Sequence, residues 1–216
     1  MIRDLSPLVG RRLAVGVVPD WHGHWPLAAH PAYCRFVRDA SDEVLLHGCV
    51  HRRHGRSGPV SVLAEACDEM NGLDRDETHR ALQRGQEVLI EAFGSPARGF
   101  LAPGWQSGHV RTVAGRSGLE YLLGYFAIEH AGARLPLATW SWDCGRWGWL
   151  GYLGEASGNA VRRIANGTIS LALHPRDLER GFWPRILELI RRLLACGYAA
   201  STPGALLPVA DADVAP

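Results

Sequence analysis

Two histidines four residues apart, His47 and His51, follow directly on the apolar run Glu43-Val44-Leu45-Leu46. That puts two imidazoles at the carboxyl end of a strand, where α/β barrels and open α/β sheets carry their chemistry. At this spacing the two rings face one way if the residues between them turn helically. Neutral imidazole ligates zinc, cobalt, nickel or iron, and a catalytic zinc takes three protein ligands and leaves one position open. The plainer alternative is a pair of loop histidines with no metal.

A third histidine has the same setting in Ile169-Ser170-Leu171-Ala172-Leu173-His174-Pro175. A residue before proline favours extended backbone, which suits a strand end. His174 is a candidate proton donor to a leaving group, or a strand-end histidine bonded to backbone. Asp20, in Val18-Pro19-Asp20-Trp21-His22-Gly23, follows another apolar run and is a candidate ligand, base or loop cap. His22 and His24 share its loop. His54 sits among Arg52, Arg53 and Arg56 and reads as solvated. Pro103-Gly104-Trp105 and Trp140-Ser141-Trp142-Asp143 bring flat apolar rings that suit sugar faces, or belong to the core. Asp143 would orient a histidine or an arginine, or close a turn.

The elements that must position these residues follow from pattern. Leu13 to Val18 reads as a buried parallel strand ended by Pro19, and Glu43 to His47 as the next. Gly99 to Pro103, Tyr121 to Phe126, Ala138 to Trp142 and Thr168 to His174 are further strands, with a last short one at Tyr198 to Ser201. Helices are expected over Ala32 to Ala40, Val60 to Phe93 (divided at Gly72), Val110 to Ser117 with Gly118 as its stop, and Trp183 to Cys196. Strands alternating with helices imply a parallel sheet or barrel. Residues 1–208 read as one domain and 209–216 as a frayed tail.

Bulk properties narrow the function classes. The 216 residues suffice for one domain with a sizeable core. The net charge is +1, so no nucleic-acid stripe is expected. All 23 basic residues are arginine, which removes Schiff-base and lysine-base chemistry. The five cysteines are scattered and odd in number, as for reduced thiols in a cytoplasmic protein. Neither a signal peptide nor a membrane span is expected.

Taken in order, the motifs resemble those of the polysaccharide deacetylases, the NodB-homology or carbohydrate esterase family 4 group. They are Val18-Pro19-Asp20-Trp21-His22-Gly23, Leu46-His47-Gly48-Cys49-Val50-His51, Gly99-Phe100-Leu101-Ala102-Pro103-Gly104-Trp105, Trp140-Ser141-Trp142 and Leu173-His174-Pro175-Arg176-Asp177. The resemblance, to a poorly characterised bacterial branch, covers most of the chain. It implies a distorted (β/α)7-type barrel and a divalent metal, zinc foremost, with cobalt, nickel or iron as alternatives. It implies that His47 and His51 are ligands and that His174 is a general acid. Pro103 to Trp105 would line the substrate groove, with Trp21 and Trp142 as further substrate contacts. The reaction would release acetyl from an N-acetylated sugar or related amide.

One departure stands out. The family's first strand carries one or two aspartates and precedes the strand that matches Leu13 to Val18. Ile2-Arg3-Asp4-Leu5-Ser6-Pro7 echoes it, but a parallel crossover needs a dozen or more residues, and Pro7 to Arg12 cannot supply them. The first strand is therefore expected to be missing: either the chain is N-terminally short and the carboxylate is lost with that strand, or Asp4 or Asp20 substitutes for it. Two other functions follow as alternatives. One is a catalytically impaired relative that keeps a carbohydrate-binding groove. The other is a metal-independent hydrolase using His174 and Asp20 as acid and base.

Overall fold

The computed structural model describes residues 1–53, 67–143, 151–153, 156, 158 and 167–208. Helix α1 (Ile2–Val9) leads into strand β1 (Ala14–Val17), the hairpin strands β2 (Asp20–Trp21) and β3 (Trp25–Pro26), helix α2 (Pro31–Ala40) and strand β4 (Glu43–Leu46). After a 3-10 turn at Glu69–Gly72 come α3 (Arg75–Phe93), β5 (Gly99–Leu101), a 3-10 turn at Pro103–Trp105, α4 (Val110–Val113) and β6 (Tyr121–Leu123). Strands β7 (Ala127–His130), β8 (Ala133–Pro136), β9 (Ala138–Ser141) and β10 (Ile169–Ala172) follow, then α5 (Pro175–Glu179) and α6 (Trp183–Ala195).

The main sheet runs β1-β4-β5-β6-β7-β8, parallel through β6 and antiparallel beyond it. Strands β9 and β10 form a second, parallel pair. Strand alternation divides the apolar residues between two faces. Val15, Val17, Val44, Leu46, Phe100 and Leu122 pack outward with residues of α2, α3 and α4. Leu45, Leu101, Tyr121 and Leu123 point the other way, into an interior cluster that also takes Ile128 and Leu137. On the second pair, Trp140, Trp142, Ile169, Leu171 and Leu173 face outward against Leu5 and Val9 of α1 and Ile186 and Ile190 of α6. This is the expected α/β architecture, a central parallel sheet wrapped by helices.

Several expectations need correction. Asp4 does not replace the missing carboxylate at the rim: residues 2–9 form helix α1, and the Asp4 carboxylate accepts from Trp183 Nε1 at 2.9 Å. Asp4 is thereby tied to the helical layer. Helix α3 starts at Arg75, where Asp74 and Glu77 form a reciprocal capping box. Residues 60–66, the start of the expected long helix, lie outside the described residues, as do His54 and the tail 209–216. Tyr198 to Ser201 forms no strand. The expected strand over Tyr121 to Phe126 stops at Leu123, and the β7–β8 hairpin lies beyond it. Among the described residues, no strand joins β1 to β10, and α1 packs there beside Leu13 and Ile169. No described helix is long and apolar enough to cross a membrane.

Candidate active site

The inward positions of the strands end in polar groups at one rim. His47 follows Leu45 on the interior face of β4, and His174 follows Ser170 and Ala172 beyond β10. The rings of His47 and His51 converge, with their Nε2 atoms 3.1 Å apart. His47 Nδ1 lies 2.7 Å from the carbonyl of Leu101 at the end of β5. Nδ1 must carry the hydrogen to donate there, so Nε2 presents its lone pair. His51 Nε2–H can donate to that lone pair, or a cation can sit between the two rings. A point about 2 Å from each nitrogen subtends an angle of about 100°, within reach of tetrahedral zinc.

Both imidazoles are neutral at pH 7. Burial lowers His47 to about 4, opposed by the Leu101 carbonyl and reinforced by nearby His174. Burial also lowers His51 to about 3, with further repulsion from His47 and His22. The donor set therefore fits two ligand positions of a divalent cation. Among the described residues, no third His, Cys, Asp or Glu completes a metal-holding group.

The loop that carries His51 is shaped by a carboxylate with no sequence signal. Glu69, 2% exposed, accepts from the backbone N–H groups of Cys49, Val50 and His51 at 2.9 to 3.1 Å. Gly48 lies beneath it with φ +68°. A Cβ there would stand 2.4 Å from Glu69 Oε2 and 2.7 Å from Pro103 Cγ. His51 itself has φ 53°, a left-handed conformation imposed by this turn. Beside Glu69, Asp68 accepts from Arg53 Nη1.

The β2–β3 hairpin is bolted to the same loop, with Asp20 N–H donating to Cys49 and His22 N–H to Val50. Trp21 stacks on His51 at 4.7 Å and on His22 at 4.6 Å, yet remains 43% exposed. Asp20 Oδ1 accepts from Trp25 N–H at 3.0 Å, so one carboxylate oxygen closes the hairpin. His24 lies exposed on the hairpin turn.

His174 lies near enough to act on both His47 and His51. Asp177, fully buried, accepts from the His174 backbone N–H at 2.7 Å and stands 3.9 Å from Nδ1. Burial raises the Asp177 carboxyl, and Asp143 adds to the effect. Asp143 accepts from Arg180 Nη1 at 3.0 Å, so it orients an arginine. Asp177 stands in the Leu-His-Pro-x-Asp motif, but nothing in the sequence signals that it is buried beneath His174.

Gly104 and Trp105 line a groove of about 440 Å³, with Tyr125, Phe126, Arg111 and Glu129. Trp105 meets Tyr125 edge to face at 5.2 Å. Pro103 is buried beneath this wall, against Gly48. Trp142 departs from expectation. It is 1% exposed and belongs to the core between β9 and α6, because its strand turns Trp140 and Trp142 toward the helices.

No protein-family model matches the sequence, and no curated protein matches it. Solved structures do. A CE4 family pseudoenzyme from Bacillus anthracis aligns over 96% of this chain and 59% of its own, at TM-score 0.56 and 16% identity. A mutant of that pseudoenzyme with restored enzymatic activity aligns over 96% and 61%, at the same TM-score and identity. A candidate polysaccharide deacetylase from Mycobacterium smegmatis aligns over 97% and 79%, at TM-score 0.52 and 18% identity. The chain thus spans about three fifths of the length of the pseudoenzyme structures. At these identities the likeness is one of fold, and the fold is the NodB-like barrel of the CE4 polysaccharide deacetylases.

Proposed function

We propose that this chain, which has the CE4 polysaccharide deacetylase fold, is a metal-dependent hydrolase that removes acetyl from an N-acetylated sugar or a related amide. The observation that carries the reading is the pair of neutral imidazoles whose Nε2 atoms stand 3.1 Å apart at the rim. His47 and His51 would hold a divalent cation, zinc by preference. When bound, it supplies Lewis-acid polarisation of the amide carbonyl and activation of water at neutral pH.

The chain's own residues do the rest. The Leu101 carbonyl keeps His47 in the ligating tautomer. Glu69 holds the loop that aims His51. His174 delivers a proton to the departing amine nitrogen, its backbone fixed by Asp177. Asp20 is the candidate base, acting through the oxygen not engaged by Trp25. Trp21, Gly104 and Trp105 offer the sugar a rim and groove, with Pro103 buttressing the wall. The setting would be cytoplasmic, with neither nucleic acid nor membrane as partner.

A second reading, a catalytically impaired relative that retains the groove, is favoured by two observations. No third metal ligand stands among the described residues, and pseudoenzymes are among the similar structures. Turnover of an N-acetylchitooligosaccharide by zinc- or cobalt-loaded protein separates the two. The first reading expects acetate release, lowered more than about 100-fold in His47→Ala. Sugar binding without acetate release supports the second. Turnover that survives both chelation and His47→Ala contradicts metal dependence.

A further inference from the structure

The inward face of β9 ends in a group with no assigned role. Trp140 and Trp142 turn outward to the helices, so Leu137, Thr139 and Ser141 alternate on the opposite face. Leu137 packs in the interior cluster with Leu45, which identifies that face as the lumen. In register, Ser141 lies beside Ala172 of β10, two residues before His174 on the same face. Ser141 is 5% exposed, and its Oγ is buried without a hydrogen-bond partner.

Other buried hydroxyls behave differently. Those of Ser41, Thr78, Ser117 and Thr139 each donate to a backbone carbonyl. A buried hydroxyl left unpaired opposes folding and adds nothing to packing that alanine would not. Two further polar atoms at the same end of the strand pair, His174 Nδ1 and Asp177 Oδ1, are also buried without partners. The indole nitrogens of Trp140 and Trp142 are unpartnered on the outward face; on the lumen side of the strand pair, the open hydrogen-bonding capacity lies with Ser141 and the turn that carries His174 and Asp177.

We infer that Ser141 is a substrate-binding residue whose hydroxyl meets the amide group of the ligand beside His174. A hydroxyl donates one hydrogen and accepts through two lone pairs, which matches the C=O and N–H of an acetamide. A sugar with a plain hydroxyl at that carbon offers no carbonyl in the same place. The assignment rests on the amide-hydrolase reading above and adds to it the group that discriminates acetamido from hydroxyl sugars.

Calorimetric titration of tri-N-acetylchitotriose and of cellotriose tests it, on the wild type, Ser141→Ala and Ser141→Cys, with thermal midpoints measured alongside. Ser141→Ala is expected to keep or raise the midpoint. It should weaken the acetylated sugar about three- to tenfold, with cellotriose affected equally little in all three proteins. Ser141→Cys should be intermediate. A lowered midpoint or a failure to fold on loss of the hydroxyl assigns Ser141 to the scaffold and overturns the inference. Wild-type binding matched by both variants overturns it alone, leaving the hydrolase reading in place. A wild type that binds neither sugar overturns both.

Discussion

At the scale of single residues, the site is a pair of imidazoles held neutral and aimed by backbone. His47 and His51 were legible because a strand-like run ends in one and the other follows at i+4. What aims them was not legible. Glu69 reads in sequence as one more surface carboxylate, and only the fold buries it under three N–H groups. Replacing it by glutamine turns an amide NH2 toward those donors. We expect Glu69→Gln to cost about 1–3 kcal/mol in denaturant unfolding and to weaken cation binding more than about tenfold. An unchanged unfolding midpoint would show that the carboxylate does not shape the loop.

The same burial sets a pH dependence. Folded His47 and His51 titrate near 4 and 3, below their ordinary 6.5. The unfolded chain therefore binds more protons below pH 6.5, and stability present above that pH drains away as the pH falls toward 4. With chelator present, the thermal midpoint should fall across this window, and the double variant with glutamine at 47 and 51 should fall less. Parallel curves for the two proteins would contradict the buried, neutral pair.

At the scale of elements, legibility followed hydrophobic pattern. Strands β1, β4, β5, β9 and β10 were readable because apolar runs end in proline, histidine or a tight turn. Helix α6 was readable from its apolar stripe, and it is the outer buttress of β9. Ile186 on that stripe is fully buried against the tryptophan layer. Ile186→Ala should destabilise by about 2–5 kcal/mol while leaving cation stoichiometry intact, measured by unfolding and metal analysis. Loss of the cation in a folded Ile186→Ala protein would couple the layer to the site more tightly than the geometry describes.

The β7–β8 hairpin was missed for a specific reason. Its turn uses positive φ at both Ala131 and Gly132, a position where Asn-Gly is the usual signal. The start of α3 was legible in principle, since Asp74-Arg75-Asp76-Glu77 is a capping-box sequence. The Tyr198 to Ser201 segment has the apolar character of a strand, but it pairs with no strand among the described residues.

At the scale of the molecule, parallel strands with helices outside and polar groups at the carboxyl rim reproduce the expected barrel architecture. Motif order showed this where overall identity to known structures, 16 to 18%, is too low to be read directly. The pairing of His47 with His51 was visible in their spacing, but the left-handed turn at His51 that brings the rings together was not. Trp142 was misassigned because strand parity decides whether a tryptophan faces helix or lumen.

In the proposed hydrolase, His47 and His51 share one cation. Tag-free protein, dialysed against zinc and then buffer, should retain about one equivalent by elemental analysis, and His47→Ala and His51→Ala should each retain almost none. A folded wild type that holds no zinc, or single variants that hold as much as the wild type, would contradict it.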